Sequence, residues 1–176
     1  SGDASWQAQL RWTVGGLEQD IPLELRDEGG RLMFEGTSMG NQAKVRVAVA
    51  PEPKAYALKY DIEVQNQQAA PVPAAVSLRL GLNLPEVIEE SWFAPNMQIF
   101  QMLCAAGDDI ERFEQNDVEE GPETVNGPIG WSGIDRQYFV VAALFGSGAA
   151  KSCSASTAGK TIWVDIDLGG EALAPG

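Results

Sequence analysis

Between Tyr56 and Leu84 the chain alternates apolar and polar residues twice in succession, and this restricts what it can fold into. Tyr56, Leu58, Tyr60, Ile62 and Val64 point one way, and Ala57, Lys59, Asp61 and Glu63 the other. After the polar, Pro-containing connector QNQQAAPVP the pattern resumes. Val76, Leu78, Leu80, Leu82 and Leu84 then alternate with Ser77, Arg79, Gly81 and Asn83. A period of two is the spacing of a strand with one dry and one wet face. Two such runs in succession predict neighbouring antiparallel strands, with Tyr60 and Leu80 buried under a second layer.

Further strands are expected from Trp6 to Trp12, Ile21 to Leu25, Leu32 to Phe34, Val45 to Val49, Met97 to Ala106 and Ile162 to Leu168. The run Phe139–Phe145 fits either a core strand or a buried helical turn, because a short apolar run has no diagnostic period. Pro85 and Glu86 open a stretch read as a short helical turn to Ser91, and Trp92 follows it in an apolar loop. The acidic segment Asp108–Glu123 reads as a solvated loop or edge, and Gly146–Gly159 as a loop carrying Cys153. No helix is long enough to form a layer, so the expected class is all-β, an antiparallel sandwich with at most short helical segments. The division expected is one β-sandwich domain over 1–168 and a Gly/Pro-bearing linker over 169–176. The Ser1-Gly2 start reads as a remnant of a cleaved tag or the edge of an excised piece.

Charge and residue types narrow the chemistry. A net charge of −13, from 25 acidic and 12 basic residues, repels phosphate backbones and anionic lipid, so nucleic acid is not an expected partner. The chain has no histidine, and so lacks the commonest general base and neutral metal ligand. Ser147, between two glycines, has no histidine to activate it. Asp165 and Asp167 share one face of a strand but read as its wet side. No catalytic, cofactor-binding or metal-binding residue is expected, and the chain is not expected to be an enzyme. Trp163 alternates with the apolar set Ile162, Val164 and Ile166. It therefore lies with Asp165 and Asp167, either as an exposed platform or covered by another element. Cys104 and Cys153 fit one structural disulfide if the compartment is oxidising, or two buried thiols if it is not. No apolar run approaches the roughly twenty residues that cross a bilayer as a helix.

Two blocks carry a resemblance. GPIGWSGIDRQYFVVAALF (Gly127 to Phe145), through Trp131, Gln137, Tyr138, Phe139 and Ala143, resembles a stretch near the end of the large periplasmic domain of the YidC-type membrane protein insertases. YALKYDIEVQN (Tyr56 to Asn66) is similar to another segment of that domain, in the same order. The resemblance implies a β-supersandwich on the periplasmic face of a Gram-negative inner membrane. It also implies a membrane protein whose transmembrane segments lie outside this chain. Nascent inner-membrane proteins and the Sec translocon would be its partners, and no cofactor is implied. Trp131, Gln137, Tyr138 and Phe139 are then candidates for a partner contact or a junction toward the membrane-embedded part, and an oxidising periplasm suits the disulfide. The alternatives are an extracellular carbohydrate-binding β-sandwich module and an unrelated periplasmic peptide-binding chaperone.

Overall fold

The computed structural model describes residues 5–28, 31–53, 55–84, 100–136, 139–146 and 148–175. Among the described residues thirteen strands run in order: β1 (Ser5–Val14), β2 (Leu17–Gln19), β3 (Glu24–Glu28), β4 (Arg31–Thr37), β5 (Ala43–Pro51), β6 (Leu58–Asn66), β7 (Val72–Asn83), β8 (Phe100–Ala106), β9 (Asp109–Phe113), β10 (Glu123–Arg136), β11 (Phe139–Leu144), β12 (Ala150–Ala158) and β13 (Thr161–Leu173). Two single 3-10 turns, Met39–Asn41 and Asn116–Val118, interrupt them. The class is all-β and antiparallel, as expected. One sheet has the order β2-β1-β7-β13-β12-β10-β8-β9, with β11 also on β10, and the other has the order β3-β4-β5-β6. The chain divides into two compact units, Ser1–Leu10 with Ser77–Gly169, and Arg11–Val76 with Gly170–Gly176.

In the first unit one strand turns the sheet back on itself. Residues 123–129 of β10 pair with β12, and residues 129–136 pair with β8. Both ladders slip in register between Asn126 and Trp131. Pro128 has no N–H for a ladder, and Gly127 has φ +126, a conformation other residues rarely adopt. Bulges of this kind bend a strand. Cys104 lies opposite Ser132 and Cys153 opposite Val125. On a flat sheet those positions on β10 would lie roughly 20 Å apart, yet the two cysteine Cα atoms are 5.9 Å apart and joined by a disulfide. The two ladders therefore face each other, and the disulfide crosses between them. Leu82, Met102, Ile129, Ile134, Ile162, Val164 and Ile166 fill the space around it, all at or below 1 % exposure. Ser132 is the polar member of this interior. Its hydroxyl donates to Leu103 O at 2.7 Å and lies 3.1 Å from Cys153 Sγ.

The second unit carries the four-stranded sheet. Ala43, Val45 and Val47 of β5 are buried, and so are Trp12, Val14, Ile21, Val72 and Ala74. On the charged face Glu35, Arg46 and Glu63 stand directly across from one another on β4, β5 and β6. Arg46 Nε donates to Glu35 Oε1 at 2.9 Å, and Lys44 Nζ lies 3.3 Å from the same oxygen. The Arg46 hydrogen bond, then the Lys44 one, hold the Glu35 carboxyl below its usual 4.5. A depressed native value adds stability above the unfolded value and loses it as pH falls through the native one. Glu35→Gln is therefore expected to lower the melting temperature at neutral pH. The gap should close as pH drops below about 4.5. Melts of both proteins from pH 7 to 3 check this, and a gap independent of pH would contradict it.

Several expectations are corrected. β6 and β7 are not neighbours: β6 is in the four-stranded sheet and β7 in the larger one. Alternation states which side of a strand is dry but not which strand lies beside it. Leu80 is buried at 5 %, whereas Tyr60 is 51 % exposed near one open end of the β6 apolar row. The loop read over Gly146–Gly159 contains strand β12, whose buried side is made of small residues, Ala150, Cys153 and Ala155. The acidic segment keeps to its reading as a solvated loop or edge: part of it forms β9, an exposed strand at the end of its sheet. Residues 169–173, read as the start of a linker, continue β13. The helical turn read over Pro85–Ser91, together with Trp92 and Ser147, lies outside the described residues.

Candidate functional site

The Trp163 face of β13 is occupied from within the chain. Arg79 on β7 donates through Nε and Nη2 to the two Asp165 carboxylate oxygens at 2.6 and 2.8 Å. Its guanidinium carbon sits 5.0 Å from the Trp163 ring centre. A forked donor on a carboxylate, with its plane over an indole, is a contact that lysine could not reproduce. Gly81 leaves room for the ring: a Cβ there would lie 2.3 Å from Trp163 Cζ3. Asp167 is exposed, and its Oδ1 accepts the Gly169 N–H at 2.7 Å. This arrangement fixes the outer face of β7 and β13 and spends the charges of Arg79 and Asp165 on each other.

The Gly127–Phe145 block contains a β-hairpin whose first strand is also paired with β8. β10 and β11 pair from Trp131↔Leu144 to Arg136↔Phe139. Trp131 is half-buried and also stands opposite Ala105 of β8. Arg136 lies over the Phe100 ring at 5.7 Å. Gln137 and Tyr138 lie outside the described residues. On β11 Phe139 is 72 % exposed, Val140 54 % and Leu144 82 %, while Ala143 packs on the interior. An apolar patch left in water is often a contact surface. The residues that carry the block's resemblance therefore divide. Ala143 faces inward, Trp131 is part-buried and Phe139 stands in solvent.

A shallow open pocket of about 580 Å³ lies in the second unit, lined by Val64, Gln65, Asn66, Gln67, Leu173 and Ala174. Asn66 is buried, and its amide is fully engaged. Nδ2 donates to Ala70 O at 2.8 Å and Leu173 O at 3.0 Å, while Oδ1 accepts the Gln68 N–H at 2.7 Å. Its position at the end of the VQN run was legible, but its task of tying three backbone groups together was not. The pocket offers no titratable side chain. Among the described residues no three Cys, Asp or Glu side chains are grouped to hold a metal, and no helix is long and apolar enough to cross a membrane.

No family model matches the chain. Two curated proteins do, both named Membrane protein insertase YidC. One, from Anaeromyxobacter sp. strain Fw109-5, is 34% identical over 121 residues, covering 68% of this chain and 21% of its own length. The other, from Anaeromyxobacter dehalogenans strain 2CP-1, is 29% identical over 125 residues, covering 67% of this chain and 21% of its own. The chain spans about a fifth of the length of the curated relatives it matches. Over some two thirds of its residues it is thus a relative of the YidC-type membrane protein insertases.

Proposed function

We propose that this chain is a non-catalytic contact module of a membrane protein insertase. It stands on the periplasmic side of the inner membrane and acts through a surface near its C-terminal strands. The observation that carries the reading is the match to two insertases of that name. The β10–β11 hairpin supplies a surface for it, because apolar side chains there are left in water. On this reading the partners are nascent inner-membrane proteins and components of the Sec translocon, and passage through lipid belongs to other parts of the protein. The acidic surface disfavours adhesion to anionic lipid.

The test is made in the insertase that carries this sequence, with residues 5–175 replaced by a flexible linker. Insertion of a reporter membrane protein is expected to continue at a several-fold lower rate, with Val140→Lys plus Leu144→Lys in the intact protein reproducing much of the loss. Complete loss of insertion with the rest of the protein abundant would make this region the insertion machine. An unchanged rate would make it a spacer.

A further inference from the structure

We infer that the free edge of β11 accepts a short, extended, uncharged segment of another polypeptide by strand addition. The inference deepens the contact-module reading and rests on it for what the edge serves. Among the described residues β11 has one strand neighbour, β10, so its outer row of N–H and C=O groups is unpaired by any strand. Proteins normally guard such an edge with lysine, proline, a bulge or a covering element. FVVAAL has no charge and no proline, and its pairing with β10 runs unbroken through six consecutive residue pairs. Side chains on both sides of the strand are exposed, Phe139 and Val141 on one side and Val140 and Leu144 on the other. The edge, rather than one face, is therefore what the strand offers.

Charge and area select the occupant. Two copies of a chain with net charge −13 repel each other, as does an anionic bilayer. The four side chains expose on the order of 400 Å², about half of what each partner contributes to a stable protein–protein interface. Six residues extend over roughly 20 Å. An added peptide strand suits those dimensions, since main-chain hydrogen bonds supply its affinity and alternate side chains its preference. Val140, Ala142 and Leu144 would favour small or β-branched apolar partners across the new ladder.

The probe is a fluorescent peptide of four Val-Thr repeats with two lysines at each end, titrated by anisotropy against the intact chain. Saturable micromolar binding is expected. Methylating alternate backbone nitrogens on the peptide's pairing edge should weaken it at least tenfold, since this removes donors and keeps the apolar surface. Val140→Lys plus Leu144→Lys should do the same, with an unchanged melting temperature showing that the fold survives. Equal binding of the methylated peptide would reduce the effect to apolar adhesion and overturn the inference. So would equal binding by the lysine variant, or sedimentation showing a dimer that the lysine variant abolishes. If the peptide fails to bind while the linker replacement still slows insertion, strand addition falls and the contact module stands. If the peptide binds but the replacement leaves insertion unchanged, strand addition stands and the contact module falls.

Discussion

Replacing Cys104 and Cys153 together by alanine is expected to destabilise the native state by about 4 kcal/mol and to lower the melting temperature by roughly 10 °C. The bond closes a loop with a sequence separation of 49, and restricting an unfolded chain over that span accounts for the figure. Both sulfurs are at 0 % exposure, so a reductant reaches them only after the layers part. Ser132 does not add to the cost, because its hydroxyl still donates to Leu103 O when the sulfur is gone. Thermal melts with and without dithiothreitol check this. The native protein should lose stability when reduced, and the double variant should melt low in both conditions. A double variant melting within a degree or two of the native protein would show that packing alone closes the loop.

Gly81→Val is expected to cost about 3 kcal/mol, by forcing a side chain into space that an indole occupies. The added Cβ would meet Trp163 Cζ3 at 2.3 Å and Cε3 at 2.6 Å. The ring cannot slide aside freely, since Arg79 lies over it and is held by both Asp165 oxygens. Combining Gly81→Val with Trp163→Ala provides the decisive comparison. With the indole gone, valine has room and suits a strand, so the double variant should be more stable than the sum of the single changes predicts. Additivity to within about 0.5 kcal/mol would mean that the two residues do not compete for the same space.

Much of this arrangement was legible wherever large apolar residues alternate. Ile162, Val164 and Ile166 are buried, as are Val45 and Val47, because a period of two leaves them a single dry side. Partnership was less legible. Nothing in Tyr56–Val64 or Val76–Leu84 states that the connector between them carries the chain to a different sheet, since pairing is decided by the whole core. β12 escaped notice because Ala, Ser and Cys bury as well as Val does but do not look apolar beside one another. Val125-Asn126-Gly127-Pro128 reads as a turn, and the residue types are those of a turn. In the fold they make the bend of a fourteen-residue strand. Of the candidate site, the alternation placed Trp163 beside Asp165, but the guanidinium that pairs with Asp165 comes from 86 residues away in sequence. The hairpin run was visible as apolar, yet its exposure depends on which strands stop short of it.

The order of strands in the larger sheet also governs when it can exist. β13, the last to be made in this stretch, stands between β7 and β12, and β1 lies on the far side of β7. A chain delivered from its N-terminus holds β1 and β7 with a vacant central position until Thr161–Leu173 arrives. Cys104 likewise waits for Cys153. Pairings this distant are slow and leave edges open in the interim. Native structure in the first unit is therefore completed only once Thr161–Leu173 has been made. A nascent chain stalled before Thr161 should remain sensitive to protease and to thiol reagents at Cys104, and both sensitivities should vanish within one folding time after the final strand is delivered.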